Sequence, residues 1–184
     1  MPTEKNVIPY KVQKGNRPKI EDVIISCLDG ELMENALDFA MWMREKKMPF
    51  RIRSSNTRWQ ECRYKGWTLC YIRIYAAGDP AGDLSPGTPS FWIIVPTFQL
   101  LHTYQDVVIS ENLTDIKWDE EVIHGCDPCS GGCGYTSVDR SIFNKEFTSI
   151  CRWRGLQIRN PDRDAVEKIK RLLELDQQAR DEIG

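Results

Sequence analysis

Residues 67–75 read WTLCYIRIY, a stretch in which β-branched and aromatic side chains alternate with others. This pattern predicts a β-strand, because successive side chains of a strand point to opposite faces. The positions that share one face are Cys70, Ile72 and Ile74, and those that share the other are Leu69, Tyr71, Arg73 and Tyr75. The stretch therefore predicts a sheet with an apolar core on one side and a mixed surface on the other.

The segments around this strand complete an α+β pattern. Aromatic and β-branched runs predict further strands at residues 50–53, 58–64, 90–97 and 146–159. Apolar spacing predicts helices at 20–28, 31–48 and 98–110, and a final helix that opens with Asn160 as N-cap and Pro161 at its first position. The order of these elements predicts an antiparallel sheet of four to five strands packed by three to four helices, with a zinc-knuckle-like loop.

The domain organisation follows from length and composition. A chain of 184 residues suits one compact domain. Residues 1–19 are polar and interrupted by proline and glycine, which predicts an irregular N-terminal arm. We expect residues 20–184 to form a single α+β domain that includes a metal loop at 123–151.

Charge and hydropathy exclude some functional classes. The formal net charge is -2, which gives no overall attraction to nucleic acid or anionic membranes. The longest apolar runs, 39–43 and 91–95, fall far short of the ~20 residues that a membrane span needs. The N-terminal residues contain no apolar signal-type run, so we expect no membrane association and a cytoplasmic location.

Seven cysteines divide into two groups. Cys27, Cys62 and Cys70 lie in apolar contexts and are predicted to be buried small hydrophobes. The others are Cys126, Cys129, Cys133 and Cys151. Clustered thiols in a chain without secretory features indicate a metal site rather than a disulfide framework.

The clustered thiols predict a structural zinc site. Cys126 and Cys129 have the two-residue spacing of zinc knuckles, and Cys133 follows a flexible Ser-Gly-Gly step. Cys151 is the preferred fourth ligand, since it would tie the loop to the next strand, and His124 is the alternative. An iron–sulfur cluster is a second possibility, although the spacing differs from the ferredoxin run. Catalysis at this ion is disfavoured, because His124-x-Cys126 lacks the glutamate of zinc deaminases.

A second candidate site combines basic and aromatic side chains. Its predicted members are Arg51, Arg53, Trp59, Arg63, Tyr71, Arg73, Tyr75 and Trp92. Guanidinium groups pair with phosphates and rings stack on bases, so the 50–73 segment is a candidate nucleic-acid face. The same side chains are also compatible with a small-molecule cleft or with ordinary packing under a helix. Burial of the rings beneath the 98–110 helix or the last helix would leave no room for a ligand.

The sequence also resembles a class of uncharacterised small bacterial α+β domains. The likeness lies in residues 64–72, the run 91–96, the thiol-rich segment 126–133 and the segment 145–151, which ends in cysteine. The resemblance implies a bacterial cytosolic setting and no assigned activity. From the metal loop and the candidate binding residues, we expect a non-enzymatic binding protein with a structural zinc, whose ligand or partner the sequence does not identify. A nucleic-acid-binding module and a zinc- or thiol-dependent enzyme are the alternatives.

Overall fold

A computed structural model describes residues 18–48, 50–52, 59–77, 88–95, 101–116, 138–142, 145–150 and 156–183. The helices are α1 (Ile20–Cys27), α2 (Gly30–Glu45), α3 (Leu101–Ser110) and α4 (Arg163–Ile183), with a short 3-10 turn at Leu113–Asp115. The strands are β1 (Arg51–Ile52), β2 (Trp59–Tyr64), β3 (Trp67–Tyr75), β4 (Ser90–Val95), β5 (Val138–Ile142), β6 (Lys145–Ile150) and β7 (Leu156–Arg159). This architecture confirms the predicted α+β class. Within these ranges, no helix has the length and apolar character that crossing a membrane requires.

The central sheet has five antiparallel strands in the order β1-β2-β3-β4-β7. The first four strands follow chain order. The fifth position is taken by β7, which returns from much later in the chain to pair with β4. Val95 pairs with Leu156 and Trp92 pairs with Arg159, so residues distant in sequence become neighbours on the sheet.

The helices cover one side of this sheet. α1 contacts α2 and β3, α2 also contacts β4 and α4, and α4 contacts β3. We call the covered side of β3 and β4 the core face, whose residues are Cys70, Ile72, Ile74, Phe91, Ile93 and Val95. The largest side chains opposite it include Phe39, whose ring centroid lies 6.3 Å from that of Phe91. Burial of this apolar layer is the main stabilising contribution to the fold.

Each covering helix buries a stripe that its sequence periodicity predicts. α1 buries Ile20, Val23, Ile24 and Cys27 at the i, i+3, i+4, i+7 positions of one helix face. α2 begins at Gly30, whose φ of 55° is one that glycine adopts without steric cost. α4 buries Val166, Ile169, Leu172 and Leu173, which recur at helical spacing in its sequence.

A β-bulge changes the predicted face of one residue. The register shifts between Cys62, which pairs with Cys70, and Arg63, which pairs with Thr68. Leu69 is therefore the extra residue on β3 and belongs to the hydrophobic core. The prediction that Leu69 shares a face with Tyr71 was wrong, because strict alternation fails at a bulge.

The C-terminal region differs from prediction in two respects. The single strand expected at 146–159 is two strands, β6, which pairs with β5 in a separate hairpin, and β7, which joins the central sheet. The predicted N-cap Asn160 instead has φ 48° and bonds to β4, donating from N to the Phe91 carbonyl at 2.7 Å. Its Oδ1 accepts from the Phe91 N–H at 2.9 Å. Asp162 caps α4, since its Oδ1 accepts from the Ala165 N–H at 2.8 Å.

Candidate functional site

The side of the sheet turned away from the core face carries basic and aromatic residues. Strand alternation places Tyr71, Arg73 and Tyr75 there, and cross-strand pairing adds residues from the neighbouring strands. One row of Cα partners across four strands is Trp59, Arg73, Trp92 and Arg159. We call Tyr71, Arg73, Tyr75, Trp92 and Arg159 together the arginine–aromatic face.

Ring contacts hold the side chains of the arginine–aromatic face in place. The rings of Tyr75 and Trp92 meet edge to face, with centroids 6.3 Å apart. The Arg73 guanidinium lies 5.6 Å from the centroid of Tyr75, and that of Arg159 lies 5.5 Å from Trp92. Both distances fall within the range of cation–π attraction. The Trp92 indole N–H donates to the Ser90 hydroxyl at 3.1 Å, which fixes the ring.

The rings on this face are buried. Tyr71 is 6% exposed, Tyr75 2% and Trp92 7%. They lie on the opposite side from the core face, which is the side that α4 contacts, and the 98–110 helix (α3) contacts α4 and the 3-10 turn. Bases stack on open ring faces, and buried rings do not offer such a platform. The arrangement suits guanidinium contacts to an anion better than stacking of a nucleic-acid strand.

Glu61 balances the charge at one corner of the sheet. Its Cα partners are Arg51 on β1 and Tyr71 on β3. Its Oε1 accepts from the Thr68 hydroxyl and lies 3.1 Å from Arg63 Nε. Glu61 itself is buried, and a buried carboxylate requires such partners. The predicted binding residue Arg63 therefore has an ionic partner within the protein.

The structure brings together part of the predicted binding set. Tyr71, Arg73, Tyr75 and Trp92 share one face, and the backbones of Arg51 and Trp59 align with it. Arg53 lies outside the described residues, as does the side chain of Trp59. Arg159 was missed by the sequence argument. The alternation of side chains along β7 could be predicted from the sequence. The pairing of Arg159 with Trp92 could not, because 66 residues lie between these two positions.

The predicted metal ligands fall outside the described residues. These positions are His124, Cys126, Cys129, Cys133 and Cys151. Among the residues that the structure does describe, no group of three or more His, Cys, Asp or Glu side chains could hold a metal ion. The predicted buried cysteines are confirmed, because Cys27, Cys62 and Cys70 are buried free thiols.

A cavity of about 340 Å³ lies where β7 leads into α4. Arg159, Asn160, Asp162 and Lys168 are among its lining residues. Lys168 Nζ bonds to Asp115 and to Asp164, each at 2.7 Å. The bond to Asp115, followed by that to Asp164, raises the pKa of this ammonium group. The charged groups of the cavity thus largely satisfy one another.

A buried polar cluster joins α3 to α4. Asp176 accepts from the Tyr104 hydroxyl at 3.1 Å and from Arg180 Nε at 2.6 Å. Burial raises the pKa of the Asp176 carboxyl, while Arg180 and then Tyr104 oppose that rise. The Arg180 guanidinium also lies 5.0 Å from the centroid of the exposed Trp67 ring. Because every polar group named here has a partner in the fold, the cluster has a structural role.

The arginine–aromatic face is the described region whose chemistry fits a binding site best. It combines two guanidinium groups with three rings on one rigid sheet, and pockets commonly have this mixture of apolar walls and a few charged groups. Comparisons with protein-family models, with curated proteins and with solved structures returned no match.

Proposed function

We propose that this chain is a non-enzymatic binding protein for an anionic ligand or partner, with a structural zinc that orders the segment preceding β7. The zinc ligands in this proposal are Cys126, Cys129, Cys133 and Cys151. The binding contacts come from the arginine–aromatic face. The observation that carries the proposal is the cross-strand row in which Arg73 and Arg159 flank Trp92.

The β5–β6 hairpin supports the choice of Cys151 as fourth ligand. Val138 and Ile150 are Cα partners at the open end of this hairpin. Paired residues of antiparallel strands lie about 5 Å apart. Cys151 directly follows Ile150, and Cys133 precedes Val138 by five residues, which span at most roughly 17 Å. This register is compatible with both cysteines binding one ion, although 17 residues separate them in sequence.

Zinc explains why these residue types would occur together. Thiolates hold Zn²⁺ in closed tetrahedral sites, which contribute folding free energy to segments without a large apolar core. Free thiols at Cys27, Cys62 and Cys70 are compatible with the reducing, cytoplasmic setting that we propose for the chain.

An anionic ligand follows from the charge of the arginine–aromatic face. Guanidinium groups bind carboxylates and phosphates through paired N–H donors. Arg159 is only partly buried, and its guanidinium lies 5.5 Å from the centroid of Trp92, so we assign the principal contact to an anion to this group. Burial of these rings favours a compact ligand or a single anionic side chain over a nucleic-acid strand.

Metal analysis of the reduced, purified chain tests the zinc site. We expect one zinc per chain and a colourless protein, and we expect Cys126→Ser and Cys151→Ser to lower the zinc content. His124→Ala serves as the matched control and should retain the metal. A metal-free protein would overturn the zinc proposal, and absorption in the visible range would indicate an iron–sulfur cluster instead. Loss of zinc in Cys126→Ser and His124→Ala but not in Cys151→Ser would make His124 the fourth ligand.

Thermal shift assays with inorganic phosphate and adenosine monophosphate test the binding face. A ligand that binds only the folded chain raises its melting temperature with concentration. We expect adenosine monophosphate to do so for the wild type and to lose this effect in Arg159→Met. The matched control is Arg171→Met, since Arg171 pairs with Glu111 at 2.7 Å on the helical surface. No shift with either probe, or equal loss in both variants, would contradict an anion site on this face.

A further inference from the structure

Two buried thiols stand opposite each other on the core side of the sheet. Cys62 on β2 and Cys70 on β3 are Cα partners, and each is 0% exposed. Directly opposed residues of antiparallel strands have Cα atoms about 4.5–5.5 Å apart. This range lies within the roughly 4.4–6.8 Å that a disulfide bond spans. The two cysteines can therefore be bridged without a large movement of the backbone.

Directly paired residues of neighbouring strands project their side chains to the same side of the sheet, with Cβ atoms about 4.5–5.5 Å apart, so the Cys62 and Cys70 thiols are neighbours. Burial, and then the hydrogen bond that the Cys70 thiol makes to Cys62, raises the pKa of Cys70. Cys62 Sγ also donates to the Met48 carbonyl at 3.1 Å. Met48 lies just beyond the C-terminal end of α2 and three residues before β1 begins at Arg51. The pair thus connects the sheet to the turn between α2 and the edge strand.

We propose that Cys62 and Cys70 form a reversible intramolecular disulfide when the protein meets a low-molecular-weight disulfide such as oxidised glutathione. This modification site is separate from the proposed zinc cluster and from the arginine–aromatic face. Cys70 lies on the core face of β3, and Cys62 lies beside it on β2. Neither the zinc proposal nor the anion-binding proposal places a ligand at these residues.

The reaction proceeds by two thiol–disulfide exchanges. One cysteine loses its proton to water, and its thiolate attacks the small disulfide and releases one small thiolate. The second cysteine, as a thiolate, then attacks the mixed disulfide and expels the other small thiolate. Both small thiolates take up protons. In sum, two protein thiols are oxidised to one disulfide, and one small disulfide is reduced to two thiols.

Burial makes the first exchange slow, and the proximity of the two cysteines makes the second exchange fast. Thiolates are the reactive species, and a buried protonated thiol reacts only when the structure opens locally. The edge strand β1 is two residues long, so opening at this edge breaks few hydrogen bonds. After the first exchange, the opposed thiol acts at a high effective concentration, which favours the intramolecular disulfide over a persistent mixed disulfide.

Oxidation also removes the hydrogen that Cys62 donates to Met48. The Met48 carbonyl then loses its thiol donor, and the turn that precedes β1 loses one of its attachments to the sheet. We therefore expect faster amide hydrogen exchange at residues 46–52 in the oxidised protein. Cys62→Ala should reproduce this faster exchange without any disulfide, whereas Cys70→Ala should not.

Peptide mapping tests the disulfide directly. The reduced full-length chain is incubated with oxidised glutathione, its remaining thiols are alkylated, and it is digested with trypsin. Cleavage after Arg58, Arg63, Lys65 and Arg73 places the two cysteines in separate peptides, 59–63 and 66–73. We expect these peptides to be linked, and dithiothreitol to separate them.

Three variants define the outcome. Cys62→Ala and Cys70→Ala should each abolish the linked pair, and Cys27→Ser, which changes another buried thiol, should retain it. Near-ultraviolet circular dichroism checks that each variant is folded. Because Cys62→Ala and Cys70→Ala each remove the pair, the test stays valid if one of them does not fold.

The proposal is overturned if peptides 59–63 and 66–73 stay unlinked in folded wild type, or if either is linked to another cysteine instead. Zinc content measured on the same sample reports separately on the proposed metal site.

Discussion

The two faces of the central sheet are buried to similar degrees but have opposite chemistry. Ile93 and Trp92 are consecutive residues of β4, and both are buried. Ile93 belongs to the core face, where aliphatic side chains, rings and thiols meet the helices. Trp92 belongs to the arginine–aromatic face, where guanidinium groups lie against rings. Burial alone therefore does not distinguish a packing surface from a candidate site. The presence of charged side chains on one face does.

The largest expected effect is a cavity on the core face. Phe91 is fully buried, and its ring packs near Phe39. Phe91→Ala removes these contacts and leaves a void, which should lower the free energy of unfolding by about 3–5 kcal/mol. Its backbone bonds to Asn160 do not involve the side chain and should persist. Urea denaturation measures the change.

Phe91→Leu provides the matched control, since it retains most of the apolar volume. Its loss of unfolding free energy should be clearly smaller than that of Phe91→Ala. Equal, small losses for both variants would mean that the core face is not the tightly packed side of the sheet.

The next largest effect is a pH dependence of stability that arises because the core face disfavours a charged Cys70 thiolate. Burial raises the pKa of the Cys70 thiol, so the folded protein keeps this proton at a pH where the unfolded chain has lost it. Above about pH 8.5 the unfolded chain binds fewer protons, and stability falls as pH rises, by at most about 1.4 kcal/mol per pH unit for one group. Below that pH both states hold the proton, and the contribution is constant.

Comparison with Cys70→Ala isolates this titration. The difference in unfolding free energy between wild type and Cys70→Ala should narrow as pH rises from 8 to 10, because only the wild type loses the Cys70 contribution. Ile72→Val, a neighbouring change without a titrating group, should differ from wild type by a constant amount. A constant difference for Cys70→Ala would show that the core face tolerates a thiolate.

Much of the core face was predictable, because local periodicity determines it. The buried stripes of α1 and α4 follow the 3.6-residue spacing of their apolar residues, and Cys70, Ile72 and Ile74 follow the two-residue period of β3. Leu69 was assigned to the wrong face because a bulge shifts the period by one residue, and the sequence carries no glycine or proline there to mark it.

The candidate site was predictable only in part, because it depends on pairing between distant strands. Tyr71, Arg73 and Tyr75 share a face by alternation within one strand. The predicted strand at 146–159 contains no period change to show that β6 and β7 belong to different sheets. Without that division, Arg159 could not be placed beside Trp92. The predicted zinc ligands lie outside the described residues, and the four-cysteine site stays a prediction from spacing.

The smallest expected effect tests whether the arginine–aromatic face is held by its charges. Arg159→Met keeps most of the apolar stem but removes the guanidinium that lies 5.5 Å from the Trp92 centroid. A partly exposed cation–π contact contributes about 0.5–1 kcal/mol, so the loss in unfolding free energy should be of that size. A double-mutant cycle with Trp92→Leu measures the pairwise part of this energy. Coupling near zero would mean that Arg159 does not depend on Trp92 for its position. In that case the ring would not hold the guanidinium in one position, and the arginine–aromatic face would not be preorganised for an anion.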